Sequence, residues 1–308
     1  MMAIAEGVGR VEGMALAKPS PKLRRANRVR TIQGSVGIEG NTCSVAQVGA
    51  ISDGKAVAVP ELERIEVKNA LEAYAALSSF DPFTMESLLD AHTRLMGNGL
   101  LVLPGRFRQA PVEVYITETQ TRAMPPPDVV PELTDGLFDY LNGATDSILL
   151  KSVRFHFEFA NIHPFVDGNG RVARLWQTRL LMEYHPVFEF LDVESMVFER
   201  RLEYYAAIRK SQDENNGAPF VEFMLERIQR SLSNLWLADW TTTNSVDERL
   251  RLAQEKFGDH SFARKEYHQL FKAISAITAS RDLRWGMDAG ALNRTGDKRT
   301  AVYRFIQK

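Results

Sequence analysis

The segment His163-Pro-Phe-Val-Asp167-Gly168-Asn169-Gly170-Arg171-Val-Ala-Arg174 holds a denser set of reactive and anion-binding groups than any other part of the chain. Two glycines bracket Asn169, so the backbone there can take positive φ and turn successive N–H groups toward an anion. The run that follows, Val172-Ala-Arg-Leu-Trp-Gln-Thr-Arg-Leu-Leu-Met182, is apolar and free of Gly and Pro, and it predicts a buried helix. The amides of the loop therefore fall at a helix N-terminus, where the macrodipole also favours negative charge. Arg171 and Arg174 are three residues apart on one helical face and offer two planar forks to phosphate oxygens. Asp167 is a hard oxygen ligand just before this nest, as a phosphate-bound Mg²⁺ needs. His163 opens the loop and titrates near neutral pH, which suits a general base. These residue types in this order describe a site for the phosphates of a nucleotide.

The segment resembles the signature of Fic proteins, His-Pro-Phe-x-[Asp/Glu]-Gly-Asn-Gly-Arg-x-x-Arg, at each fixed position. That resemblance implies a mainly α fold: a Fic-type helical core with a small β-hairpin flap. It also implies a protein adenylyltransferase, a nucleotidyltransferase that moves AMP from ATP to a Ser, Thr or Tyr hydroxyl of a target protein. His163 would then deprotonate the hydroxyl and Asp167 would hold Mg²⁺. Gly168, Asn169 and Gly170 would cradle the phosphates, Arg171 and Arg174 would bind the β- and γ-phosphates, and Phe165 would plug the loop into the core.

A second match lies upstream. Ser35-Val-Gly-Ile-Glu39-Gly40-Asn41 fits the inhibitory-helix pattern [Ser/Thr]-x-x-x-Glu-[Gly/Asn] found in many Fic proteins. A carboxylate beside Arg174 would pair with it and fill the space that a γ-phosphate needs. ATP could still enter, but with its α-phosphate out of line for attack. Gly37 lowers the helical propensity of the segment slightly.

Composition sets wider limits. The 308 residues allow two domains; 44% hydrophobic and 25% charged residues are ordinary for a soluble protein, and a net charge of −1 gives no overall attraction to nucleic acid or membrane. The single cysteine, Cys43, excludes an internal disulfide, and the absence of a signal-like or membrane-spanning segment leads to the expectation of a cytoplasmic protein.

Residues 1–26 read as a loosely held arm, and 1–80 as an N-terminal region containing the inhibitory segment 35–41. Residues 51–60 read as a turn. Pro60–Leu77 reads as an amphipathic helix with Pro and Glu in its first turn, and a further helix opens at Asp81 and stops at Gly97. His92 within it reads as a structural polar residue. Alternation over Pro104–Arg108 and Val112–Ile116 predicts the hairpin, which in Fic proteins acts as a flap for the target segment. Phe155-His-Phe-Glu-Phe159 has the period of a strand; only the resemblance makes it a helix. Beyond the motif, Glu199–Tyr205 is similar to a Fic helix that encloses adenine, which assigns Tyr204 and Tyr205 to the nucleotide, with plain core as the alternative. Arg200 stands where that helix carries Asn. The catalytic core is expected over 81–240.

Residues 261–308 hold ten Lys/Arg against four Asp/Glu. Two short helices and then a basic hairpin over 289–305 resemble a winged helix-turn-helix, placed at 245–308. DNA contact through Arg281, Arg284, Lys298 and Arg299, or a role in packing, dimerisation or target docking, both fit this pattern. The expected partners are ATP, a hydroxyl-bearing target protein, DNA through 261–308 and a second copy of the chain. Two rivals to AMP transfer stay open: removal of AMP by the same site, and a DNA-binding regulator whose core senses nucleotide.

Overall fold

The computed structural model describes residues 1–13, 21–115, 121–243, 246–271, 274–297 and 301–306; of residue 13, 236–243 and 248 only the backbone is described. The chain divides into two compact units, Met1–Leu232 and Ser233–Lys308.

The first unit is helical. Its N-terminal part comprises α1 (Met2–Gly13), α2 (Pro21–Ile38), α3 (Val45–Ser52), α4 (Glu61–Ala75) and α5 (Met85–Met96). Of the expected loose arm over 1–26, residues 14–20 lie outside the described residues, and the rest from Met2 on is helical. Ile4, Val8 and Val11 recur at helical spacing on α1 and are buried, and residues 21–26 already belong to α2. The expected turn over 51–60 is preceded by a helix, α3. Ser44 accepts from the Gln47 amide while the Gln47 side chain accepts from the Ser44 amide, a reciprocal cap that starts α3.

A two-stranded antiparallel hairpin follows, β1 (Glu113–Tyr115) paired with β2 (Thr121–Ala123) in the register Val114 opposite Arg122. Pro104–Arg108 lies outside it, and Ile116 is outside the described residues. The chain then runs through α6 (Val130–Gly143), α7 (Ile148–Ile162), α8 (Asn169–Tyr184), α9 (Val193–Phe198), α10 (Arg201–Asp213) and α11 (Ala218–Thr243), the last leading into the second unit.

The strand-like alternation of Phe155, Phe157 and Phe159 falls on α7. All three are buried, because α7 is covered on nearly all sides, so residues two apart can each meet core. Phe155 packs with Phe138, Trp176 and Phe159, joining α6, α7 and α8 into one aromatic centre. α7 and α8 are consecutive and meet at the loop 163–168, which places the motif at one end of the tightest helix pair.

α2 is pressed against the segment 190–195. Asn27 donates to the Phe190 carbonyl, Thr31 to the Leu191 carbonyl and Arg30 to Asp192. Residues 34–38 are all buried. The glycines explain themselves here: a Cβ at Gly34 would lie 2.7 Å from the Glu194 backbone, and one at Gly37 would lie 2.8 Å from the Phe198 ring. Helical propensity yields to close approach.

The second unit contains α12 (Val246–Phe257), β3 (Phe262–Ala263), α13 (Arg264–Leu270), α14 (Ala276–Asp288), β4 (Leu292–Thr295) and β5 (Val302–Phe305), with an antiparallel sheet in the order β3-β5-β4. Phe262, Tyr267, Phe271, Leu283, Leu292 and Phe305 form its own core. Arg249 and Asp282 make a buried two-point ion pair inside it, 2.7 Å at each contact. Arg281 and Arg284 are exposed on α14; Lys298 and Arg299 lie outside the described residues.

Candidate functional site

α7 ends because His163 takes a left-handed conformation, φ 52°, its amide still donating to the Phe159 carbonyl. Gly168, φ 84°, turns the chain into α8; a Cβ there would also lie 2.6 Å from the Met96 sulfur, so only glycine fits. The loop between them is locked from inside. Asn169 accepts from the Phe165 amide and donates to the Phe165 carbonyl, both at 2.9 Å, and Phe165 is fully buried. The Asn169 side chain thus shapes the loop, and what it offers an anion is its main-chain N–H. With α8 starting at Asn169, the first-turn amides have no partner within the helix.

Two residues hold this loop without any local sequence signal. Arg108, 1% exposed, donates to the His163 carbonyl at 2.8 Å, the Pro125 carbonyl at 2.6 Å and the Ala110 carbonyl at 3.2 Å, while its amide donates to the Pro164 carbonyl. It ties the loop to the stem of the hairpin. His92 stacks on Phe165 with centroids 3.6 Å apart, accepts from the Gly105 amide at Nδ1 and therefore donates from Nε2 to the Asp167 carbonyl. Burial lowers its pKa to about 4, so it is neutral. These are the contacts of a structural polar residue, with specific partners that the sequence did not indicate. Their partners are 13 and 75 residues away in the chain, beyond any spacing rule.

His163 is half-buried. Burial lowers its pKa most, against a backbone hydrogen bond to Ala160 and the charges of Glu39 and Asp167, which raise it. A neutral imidazole near neutral pH can take a proton. The Asp167 side chain is 59% exposed, with Arg171 at 3.2 Å as its cationic neighbour. Among the described residues there is no group of three His, Cys, Asp or Glu able to enclose a metal. One open carboxylate beside an amide nest fits Mg²⁺ held mostly by substrate phosphates and water.

The Arg171 and Arg174 side chains are 5% and 2% exposed, so neither guanidinium floats in solvent. Arg174 donates to Glu39 at 2.7 Å and to the Ser35 carbonyl at 2.9 Å. Gly40, φ 100°, ends α2, and the Asn41 amide returns to the Val36 carbonyl, so Glu39 sits on a closed helix end. A Cβ at Gly170 would lie 2.5 Å from the Glu39 carboxylate, which therefore rests on the first turn of α8. The Nε of each arginine is buried and without a hydrogen-bond partner.

Beneath Arg174 lies a polar floor. Ser35 is buried; Tyr74 donates to Glu194 at 2.8 Å, and Thr178 donates to the same oxygen at 2.9 Å. Burial raises the Glu194 pKa. Tyr204 is 3% exposed, packed on Phe220 and Phe223, with its hydroxyl 2.9 Å from His156 Nε2. Tyr205 is partly exposed and donates to the Ile38 carbonyl at the end of α2. Arg200 is exposed and pairs with Glu203. Between the hairpin and α7, a cavity of about 290 Å³ is lined by Arg122, Glu158, Asn161, Gln212 and Asn216.

A sequence model of the Fic/DOC family matches residues 82–181. The chain is 32% identical over 265 residues to protein adenylyltransferase Fic of Culex quinquefasciatus, covering 79% of this chain and 50% of that protein. It is 31% identical over 255 residues to the protein of the same name from Aedes aegypti, covering 77% and 47%. The chain spans about half the length of the curated relatives it matches. Among solved structures, a Fic family protein from Desulfovibrio desulfuricans G20 superimposes with a TM-score of 0.75 at 34% identity, covering 100% of this chain and 94% of that one. Residues 134–508 of Fic-1 from C. elegans give 0.62 at 23% identity over 76% and 71%, a likeness of fold.

Proposed function

Because the chain belongs to the Fic family, we propose that it is a Mg²⁺-dependent protein adenylyltransferase held in a low-activity state by Glu39. The relatives named as protein adenylyltransferases support the reaction, and one observation carries the regulation: the 2.7 Å pair between Glu39 and buried Arg174.

In this reading the first-turn amides of α8 and the forks of Arg171 and Arg174 bind the triphosphate. His163 takes the proton of the target hydroxyl as its oxygen attacks the α-phosphorus. The bond from that phosphorus to the α–β bridging oxygen breaks, and pyrophosphate leaves. When bound, Mg²⁺ neutralises phosphate charge, with Asp167 as its protein ligand. Glu39 opposes this by keeping Arg174 from the γ-phosphate, so the α-phosphate is not held in line. Release of α2's end from Arg174 restores the geometry.

The test is AMP transfer from α-labelled ATP, comparing wild type with Glu39→Gly. A second reading, AMP removal, draws on the Glu39 carboxylate lying against the first turn of α8 at Gly170, where it would orient a water. Release of AMP from a modified target by wild type, lost in Glu39→Ala, would separate it from transfer.

For the C-terminal unit, the order β3-β5-β4 with α13 and α14 supports a winged helix-turn-helix reading. Duplex DNA is its proposed ligand through Arg281 and Arg284. A salt-sensitive mobility shift that survives His163→Ala supports this, and no shift at low salt rejects it.

A further inference from the structure

Arg171 has two carboxylate partners of different character. Asp167, four residues earlier, is 3.2 Å from Nη2 and 59% exposed. Glu66, from α4, is 2.8 Å from Nη1 and 22% exposed. The second carboxylate is itself fixed. Its Oε2 accepts from the Asn41 side chain at 2.8 Å, leaving Oε1 turned to Arg171. Asn41 is 8% exposed, and its remaining capacity is taken up by the Glu63 carbonyl at 3.1 Å and the Cys43 amide at 3.0 Å.

Resting on the function proposed above, we propose that Glu66 is the positioning residue for Arg171. When Asp167 turns to the cation, Arg171 loses that partner. Glu66 remains, placed by α4, and it keeps the fork aimed at the phosphates. An arginine buried to this degree needs such a partner, since a guanidinium without one carries a large desolvation cost. Glu66 belongs to α4, whereas Ser35 and Glu39 lie at the end of α2, so the carboxylate that serves Arg171 is not the one that holds Arg174. Glu66 therefore serves the active state, and its loss does not mimic the loss of Glu39.

The test uses the full chain in the Glu39→Gly background, adding Glu66→Gln, which keeps the shape, and Glu66→Ala. ATP dissociation constants are measured by calorimetry with Mg²⁺ and no target, and KM for ATP and kcat by labelling. Thermal midpoints report folding. Glu66→Ala is expected to raise Kd and KM about tenfold, the scale of one charge-assisted hydrogen bond. Glu66→Gln is expected to fall between, and kcat to change less than KM in both. Values within twofold of the Glu39→Gly parent in both variants overturn the proposal alone. A parent that binds no ATP overturns the functional reading on which it rests. If Glu66→Ala is unfolded, the Kd of Glu66→Gln decides by the same twofold criterion.

Discussion

The Arg174 guanidinium, 2% exposed, is held between the Glu39 carboxylate at 2.7 Å and the Ser35 carbonyl at 2.9 Å. Two points of the same helix end therefore grip one arginine of α8. The pair is not an isolated surface contact, which would be worth little. The fit of α2 against α9 and α4 sets its geometry, so substitutions away from the motif should alter inhibition.

Gly34→Ala is the sharpest of these. In an unconstrained helix the change would gain about 1 kcal/mol of propensity. Here the added methyl meets the Glu194 backbone at 2.7 Å, and overpacking is expected to cost about 1–3 kcal/mol instead. Chemical denaturation should show the loss. Labelling from α-labelled ATP should rise above wild type as α2 backs away from Arg174.

Arg108→Met removes the donors to the His163, Pro125 and Ala110 carbonyls. The expected cost is roughly 3 kcal/mol in denaturant midpoint analysis, since buried carbonyls lose their partners. Arg108→Lys should rescue little, because a point charge cannot reach three carbonyls at once. AMP transfer by the Glu39→Gly protein should fall with it.

The pH dependence has a definite sign. His163 is held below the ordinary histidine value of about 6.5, mainly by burial. Its neutral, proton-accepting form therefore persists as pH falls through about 6.5. The transfer rate should stay flat there and drop only at lower pH. Stability follows the same sense for His92 and His156, lowered to about 4 and about 3. Their contribution is complete above the unfolded value and is lost as pH falls from about 6.5 toward those folded values, at about 1.4 kcal/mol for each pH unit crossed. Glu194, raised by burial, acts oppositely: its contribution is present below its unfolded value and lost as pH rises through its folded one. Denaturation midpoints from pH 7 to pH 4, with His156→Gln as comparison, check the histidine limb.

The geometry of the 163–174 motif was legible because its parts are contiguous: His163 to Arg174 lie on one turn and one helix start. Glu39 was legible by its own short pattern. α4 and α5 announced themselves by amphipathic spacing, with Pro60 and Glu61 at the start of the first and Gly97 after the second. α7 did not; Phe155 to Phe159 read as a strand on period alone, since a helix covered on nearly all sides loses its polar stripe. The N-terminal helix was hidden because Ile4, Val8 and Val11 are few apolar residues among many small and polar ones. Arg108, His92 and Glu66 could not be found by spacing, because each meets its partner in the 163–171 motif from 55 to 105 residues away. Tyr204 was assigned to the nucleotide or to plain core, and its ring lies among Phe220, Phe223 and His156.

The most direct measurement incubates wild type, Glu39→Gly and Glu39→Gly with His163→Ala with Mg²⁺ and α-labelled ATP, with lysate proteins as acceptors. The account predicts covalent label at least tenfold stronger in Glu39→Gly than in wild type, and none in the double variant. Equal label in wild type and Glu39→Gly, or label that survives His163→Ala, would contradict it.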